Sequence, residues 1–390
     1  MAFEDVEVAI VGGGVVGCAV AHALARRGVG ALVLEAEPGL ALGASGTNSG
    51  ILHTGFDSTP GALETRLILR SAELRQTLLG ELGVRALRCG AVMRPREEAE
   101  RAAVARLAEN AAANGVEATL HDDGSLLVPG EAVTDPVAFV HALAAAARSG
   151  GASVRANARV VGLDAGADAA SISLELHGGE RVRARAVVNC AGLYADEIAA
   201  LAAETPVSVY PRKGEFVVFA PREPLRRILL GVPSALGKGV LVFPTLDGLA
   251  LAGPTARERE DKEDWSVEPD AAALIRERAA RIYPPLADAE LLGAYAGLRP
   301  AGRDANYVIE PSHTLPGLIH VAAIRSTGLS ASLGIGEHVA ALLAEHVAVE
   351  LGAERSLPVL AARRAAGATA DAGAEGRWWE RAARHHAAAR

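Results

Sequence analysis

Residues 6–36 read VEVAIVGGGVVGCAVAHALARRGVGALVLEA, and the reading of this stretch decides the fold. Val6 to Val11 is a largely apolar run of the kind that forms a parallel strand buried on both faces. Val15 to Arg26 carries Ala and Leu at helical spacing, Gly28 is placed to end that helix, and Ala31 to Glu35 is a second strand. The turn between strand and helix is Gly12-x-Gly14-x-x-Gly17. Its first glycine permits the tight turn, the second lets the backbone approach a pyrophosphate, and the third lets helix and strand pack closely. Such a glycine pattern also arises by chance. Here it follows a strand, opens a helix, and is followed by Glu35, whose carboxylate can accept hydrogen bonds from ribose hydroxyls. The stretch therefore predicts a βαβ unit that binds a dinucleotide through Gly12, Gly14, Val16, Gly17, Glu35 and Ala36.

Two more strand ends carry glycine. Ala186 to Ala191 runs into Gly192, and Ser326-Thr327-Gly328-Leu329-Ser330 precedes a helix expected from about Ser332 to Glu350. Three such ends spread over one chain suit a long FAD lying across a sheet, contacted by Ala191, Gly192, Gly297, Gly328, Leu329 and Ser330. The last helix would aim its positive end at the flavin. Between the first two ends lies the block Gly43 to Gly55, whose small and hydroxylated residues, including Ser45, Asn48, Ser49 and Gly50, suit a segment threaded along a cofactor.

That block ends close to His53. A single histidine is most often a structural or solvated residue, but its position after a cofactor-hugging loop makes it a candidate general base. Basic residues in Gly- or Pro-rich settings complete the candidate site: Arg212 and Lys213, Arg299 between Gly297 and Pro300, and Arg325. Surface charge is the ordinary explanation for an arginine. Arg299 resists it, because its neighbours fix its backbone and a guanidinium can grip a carboxylate or phosphate with two parallel bonds.

The rest of the chain sets bounds. At 390 residues it can bury a large core, and we expect two interleaved lobes. The formal net charge of -8 argues against nucleic acid as the main partner. Three scattered cysteines, Cys18, Cys89 and Cys190, imply no metal site and fit a reducing, cytoplasmic setting. The uncharged run Val8 to Ala25 is broken by glycines and preceded by acidic residues, so no integral membrane segment or signal peptide is expected. Helices are predicted over Arg66–Leu82, Glu97–Asn114, Pro136–Arg148 and Asp270–Tyr283. Short strands are predicted from Ser153 to Cys190 and from Pro206 to Gly253. The Ala- and Arg-rich tail beyond Leu357 reads as a surface helix or partly ordered extension.

Taken together, five segments resemble the D-amino-acid oxidase superfamily of FAD-dependent oxidoreductases. They are Gly12–Gly17, Asn48–Gly55, Pro211–Glu215, Pro244–Thr255, and Gly297–Pro300 with Ser326–Ser330. The nearest branch is similar to FAD-dependent glycerol-3-phosphate and L-2-hydroxyglutarate dehydrogenases. The resemblance implies an α/β fold in which a Rossmann-like FAD-binding domain (1–85, 150–205, 297–352) interleaves with an antiparallel-sheet substrate domain (86–149, 206–296), with 353–390 as a C-terminal extension. It also implies that Val160 contacts the adenine and that His53 and Arg299 face the substrate.

The implied activity is oxidation of a small anionic hydroxy substrate, by hydride transfer to the flavin. His53 would take the hydroxyl proton, and Arg299, Lys213 and Arg325 would hold the anion. Imidazoles titrate near ~6.5, which suits a base at neutral pH. The Asn48–His53 block leans to a 2-hydroxy acid, while Lys213-Gly214-Glu215 and Gly253-Pro254-Thr255 lean to glycerol 3-phosphate. An amine or amino-acid oxidase, and a flavin-binding redox sensor or subunit without turnover, are the alternatives. Arg325 departs from the Glu-Ser-Pro-Gly-Leu-Thr of many relatives, and the cysteine-bearing C-terminal extension of some relatives is not found here, so the electron acceptor stays open.

Overall fold

The computed structural model describes residues 4–166, 171–233, 239–357 and 377–388. The opening stretch folds as its pattern demands. The strand Glu4–Val11 runs into the helix Val15–Arg26 and then the strand Ala31–Leu34, and the two strands pair in parallel. Gly12 adopts φ +107°, and a Cβ there would lie 2.4 Å from the Cys190 carbonyl oxygen, so only glycine fits the turn. A Cβ on Gly17 would lie 2.0 Å from the Gly12 carbonyl oxygen, which is the close strand–helix packing expected of the third glycine.

These strands are the centre of an eight-stranded sheet among the described residues. The strand Arg181–Asn189 pairs in parallel with Glu4–Val11 on one side and with Leu318–Ala322 on the other. Ser153–Arg155 extends the parallel set beyond Ala31–Leu34, and a three-stranded antiparallel meander of Val160–Ala165, Ile172–Leu176 and Arg181–Asn189 flanks it. The helices Val15–Arg26, Pro136–Ser149 and Gly328–Val347 cover one face and form a single apolar core that includes Val20, Leu24, Phe139, Leu143, Ile335 and Val339. Helix Gly328–Val347 starts four residues before the expected Ser332. Gly328, Ser330 and Ser332 are weak helix formers, but all are buried, and tertiary packing overrides their propensity.

Among the described residues a second sheet has nine strands. Its spine is the antiparallel pair Val209–Ala220 and Glu290–Gly302, which keeps one register from Val209 opposite Gly302 to Val218 opposite Gly293 and shifts at a bulge before Phe219 opposite Leu291. The strands Ile228–Leu230, Leu241–Pro244 and Ala250–Gly253 complete this half, and the helix Ala271–Ile282 packs on it through Ile275 and Ala279. A small third sheet joins Ile51–Leu52, Ala86–Leu87 and Ala132–Thr134, and so carries the segment ahead of His53 up to the second sheet.

The tail corrects its sequence reading. The helix Trp378–Ala388 is packed rather than left on the surface: Trp379 is buried beside Tyr295 and Gly293, and Ala382 is buried against Gly46. The expected extension also includes residues 358–376 and 389–390, which lie outside the described residues. Among the described residues no helix is long and apolar enough to cross a membrane, and no cluster of His, Cys, Asp or Glu suits a metal ion.

Candidate active site

The parallel strands Glu4–Val11, Ala31–Leu34, Arg181–Asn189 and Leu318–Ala322 end at one edge of the first sheet. The residues that follow them, Gly12, Glu35, Ala191 and Arg325, line one cavity of about 950 Å³. That is the crevice outside the carboxyl ends of the strands where open α/β sheets bind ligands. Its volume is at the upper end of the usual range for small-molecule sites.

The cofactor end is built from the glycine turn. Ser45 Oγ accepts the Val15 amide at 2.9 Å, so the threaded loop caps the helix that begins at the turn. Glu35 Oε2 accepts the Gly13 amide at 2.6 Å and Oε1 accepts the Glu37 amide at 2.9 Å. Burial raises the Glu35 pKa above the usual carboxylate value, and the Glu37 and Gly13 amides oppose that rise. Of the residues expected to contact the cofactor, Gly12, Gly14, Val16, Glu35, Ala36, Ser45, Asn48, Ser49, Val160, Ala191, Gly192, Gly297, Gly328 and Leu329 line the cavity. These backbone turns, the helix N-termini at Val15 and Gly328, and the glycines that bring backbone close to the cavity suit a long, negatively charged dinucleotide such as FAD. Three predicted contacts do not line it. Gly17 packs on the Gly12 carbonyl, Gly50 sits against Thr134, and Ser330 Oγ accepts the His53 amide at 2.8 Å and contacts the Ile51 carbonyl at 3.2 Å.

At the far end, His53 lines the cavity with its side chain 20% exposed. Its Nδ1 lies 2.9 Å from Glu131 Oε2, and Glu131 is fully buried. Glu131 Oε1 accepts the Thr54 amide at 2.6 Å and the Thr54 hydroxyl at 2.8 Å. Arg75, buried on the helix Leu63–Glu81, donates to the His53 carbonyl at 2.7 Å and to the Ser330 carbonyl. Burial draws the Arg75 pKa down to about 10, with nearby Glu131 acting the other way. Glu131 and Arg75 have no sequence signal, because each meets His53 only through the fold.

Six arginines line the same cavity, and Arg212, Arg299 and Arg325 are among them beside Arg159, Arg257 and Arg278. Arg299 is held by three backbone carbonyls, from Nε to Arg212 at 2.9 Å and from Nη2 to Lys213 at 3.1 Å and Thr255 at 2.9 Å. Burial, together with the Arg212 and Arg325 charges, lowers the Arg299 pKa to about 10. Arg212 Nε is buried without a hydrogen-bond partner. Arg325 lies 3.5 Å from Glu64, whose carboxyl also takes the Thr327 hydroxyl and lines the cavity.

Lys213 does not join them, which corrects the sequence reading. Its side chain is fully buried, with Nζ 2.9 Å from Asp264, 3.0 Å from Ser266 and 3.7 Å from Glu268. The reason is the period of two along a strand. In Val209–Ala220 the residues Arg212, Gly214 and Phe216 line the cavity, so Lys213 and Glu215 project to the other face. The wall is closed in part by the tail: the Trp265 and His386 rings stack at 3.8 Å between centroids and both line the cavity.

Known proteins resemble this chain along most of its length. A family described as FAD dependent oxidoreductase (DAO) matches residues 7–342. The chain is 29% identical to a glycerol 3-phosphate dehydrogenase of Caloramator mitchellensis, over 86% of this chain and 73% of that protein. It is 26% identical to the mitochondrial L-2-hydroxyglutarate dehydrogenase of Arabidopsis thaliana, over 87% of this chain and 84% of that one. Among solved structures it is similar to the L-alpha-glycerophosphate oxidase of Mycoplasma pneumoniae with FAD bound. That match has a TM-score of 0.83 at 26% identity and covers 92% of this chain and 98% of that one.

Proposed function

The chain belongs to the FAD dependent oxidoreductase family, and from that premise we propose that it oxidises the hydroxyl-bearing carbon of a small hydroxy anion, of the glycerol 3-phosphate or 2-hydroxy acid type. It is an enzyme whose cofactor is FAD. One observation supports the substrate class above the others: His53 and the guanidiniums of Arg212, Arg299 and Arg325 line a single cavity in a protein of net charge -8.

In this reading FAD is held by the Gly12–Gly14 turn at its pyrophosphate, by Glu35 at the ribose and by Val160 at the adenine, with Ala191, Gly192, Gly328 and Leu329 along the rest. When bound, FAD supplies the two-electron acceptor that takes the hydride released from carbon. The protein's own residues do the remainder. Arg212 and Arg299 grip the anion. Their fixed placement on neighbouring strands orients the substrate, and orientation contributes much of an enzyme's rate. Arg325 adds attraction that Glu64 partly neutralises. His53 would take the hydroxyl proton as the C–H bond breaks, so that the alcohol leaves as a ketone with its proton on the imidazole, the hydride and its two electrons being what bound FAD would accept.

The two substrate types share the features this grip reads, namely an anionic group and a secondary hydroxyl. An amine substrate would release ammonia or an amine. The test is product analysis with purified enzyme and an artificial electron acceptor: a ketone without ammonia supports the reading, and ammonia release overturns it.

A further inference from the structure

The reaction above uses His53 and leaves its neighbour Glu131 without a role. Glu131 sits in the turn between the strands Leu126–Val128 and Ala132–Thr134 and is 0% exposed. Its two oxygens are divided: Oε1 takes both Thr54 donors, and Oε2 faces His53 Nδ1 at 2.9 Å. The Thr54 amide and hydroxyl and the imidazole N–H can all donate, so an ionised carboxylate fills every one of these bonds as an acceptor. Arg75 supplies a buried positive charge on the other side of His53 through the His53 carbonyl. The charged residues lining the cavity that His53 faces include Asp57, Glu64, Arg212, Arg299 and Arg325.

We propose that Glu131 is a positioning residue for the oxidation: it fixes His53 as the Nδ1–H tautomer, so that Nε2 is the proton-accepting nitrogen, and it stabilises the imidazolium that forms. The inference rests on His53 being the base. A neutral imidazole has one donor and one acceptor nitrogen, and the bond made by one nitrogen decides the role of the other. An ionised Glu131 can only accept, so beside it Nδ1 holds the proton and Nε2 the lone pair. The Thr54 contacts fix the carboxyl, and the Ser330 hydroxyl and the Arg75 guanidinium fix the His53 backbone, so the ring is held from both ends. When the hydroxyl proton arrives, the ring becomes cationic beside a buried carboxylate. A negative neighbour favours that charged form.

Glu131→Gln and Glu131→Asp separate charge from shape. Gln keeps a carbonyl acceptor for Nδ1–H and loses the charge, while Asp keeps the charge on a shorter arm. The measurement is stopped-flow flavin reduction in FAD-loaded enzyme across pH. Because the base must be unprotonated, the rate falls on the acid side. Removing the negative neighbour moves that limb to lower pH, and we expect the plateau rate to drop by about 10–100-fold, the range for losing the partner that orients a functional histidine. Asp should restore the limb.

A limb that stays in place in Glu131→Gln, with a rate within about twofold of the parent, would reduce Glu131 to a structural partner of Thr54. His53→Ala distinguishes the two layers: reduction at parental speed there removes the base itself, whereas slow His53→Ala beside an unaffected Glu131→Gln removes only the present inference. Should the Glu131 variants fail to fold, nitrogen NMR of 15N-histidine-labelled parent enzyme decides the tautomer directly. A His53 with Nδ1 protonated is the expected result, and the Nε2–H tautomer would overturn the proposal.

Discussion

Arg299 Nε donates to the carbonyl oxygen of Arg212 at 2.9 Å, across a register in which the two residues stand opposite one another on antiparallel strands. Residues directly opposite in such a pair share a face, so the contact places two guanidiniums side by side toward the cavity. Burial first, and then the Arg212 and Arg325 charges, lower the Arg299 pKa, and an anion between the two guanidiniums would relieve the repulsive part. Substituting Arg212 by Ala should therefore raise the apparent KM for the anionic substrate steeply and leave FAD content unchanged. A loss of about 2–5 kcal/mol is typical for removing one partner of a desolvated charge pair. Arg212→Lys should recover part of it, because the planar fork is lost while the charge remains. Steady-state kinetics on the three proteins checks this, and an unchanged KM in Arg212→Ala would remove Arg212 from the grip.

Lys213 carries the opposite expectation. Its ammonium is committed to Asp264 and Glu268, which anchor the segment carrying Trp265. Breaking a buried pair costs about 3–5 kcal/mol, reduced here to about 1–3 because both carboxylates are partly exposed and keep Arg259 as a partner. Lys213→Met should lower the unfolding midpoint while substrate KM stays near the parental value. A large rise in KM at unchanged stability would return Lys213 to the substrate.

Glu35 should act on the cofactor alone. Glu35→Ala removes the acceptor that holds the Gly13 amide and the acceptor proposed for the ribose. The expected weakening of FAD binding is about 1.5–3 kcal/mol, the usual size for hydrogen bonds to a charged group. Equilibrium titration of the apoprotein with FAD measures it, and unchanged affinity would mean that the ribose lies elsewhere.

Acid should loosen a particular corner. Burial alone would raise the Glu204 pKa, but the His313 amide, the Ser312 hydroxyl and His320 outweigh it and hold the carboxyl at about 2. A depressed carboxyl contributes stability that is fully present above its unfolded value near ~4.3 and is lost as pH falls toward the folded value. Glu204→Gln should accordingly be less stable than the parent near neutral pH, and the gap should close as pH falls from about 4 to about 2. Urea unfolding at several pH values tests the sign, and a gap that widens on acidification would contradict it.

The tail helix should matter to the cavity although it comes from the far end of the chain. Trp379 anchors it beside Tyr295, and His386 is held by the Leu42 carbonyl and stacks on Trp265. Because Trp379 is a large apolar side chain that holds this helix to Tyr295, Trp379→Ala should release the helix rather than unfold the core. The expected readout is faster FAD release with only a small change in the main unfolding transition. FAD release at the parental rate would show that this wall is not needed to retain the cofactor.

What the sequence disclosed and what it hid follow one physical division. The helix Val15–Arg26 and the glycine turn before it are set by local pattern and were legible to the residue. The FAD cofactor was legible for the same reason, since each glycine-bearing strand end is a local signal. The 13-residue strand Glu290–Gly302 was not, because its three glycines dilute any alternation and its pairing with Val209–Ala220 supplies the order. The choice between Arg212 and Lys213 turned on the phase of a strand, and a one-residue difference in phase exchanges the two faces. Glu131 lies 78 residues from His53, and no spacing rule connects them.

The measurement that bears most directly on the hydroxy-anion reading is anaerobic bleaching of the enzyme-bound flavin by matched compounds. Glycerol 3-phosphate is set against glycerol, 2-hydroxyglutarate against 2-hydroxybutyrate, and both against glycine and D- and L-amino acids. Each pair keeps the hydroxyl and removes one anionic group, so the ratio of reduction rates isolates the contribution of the guanidiniums. Expected are rapid bleaching by one of the two dianions, bleaching slower by at least about tenfold with its less charged counterpart, as loss of about 1.4 kcal/mol or more of binding requires, and none by amino acids. Bleaching by glycine or another amine, with neither hydroxy anion active, would contradict it and leave only the flavoenzyme fold in place.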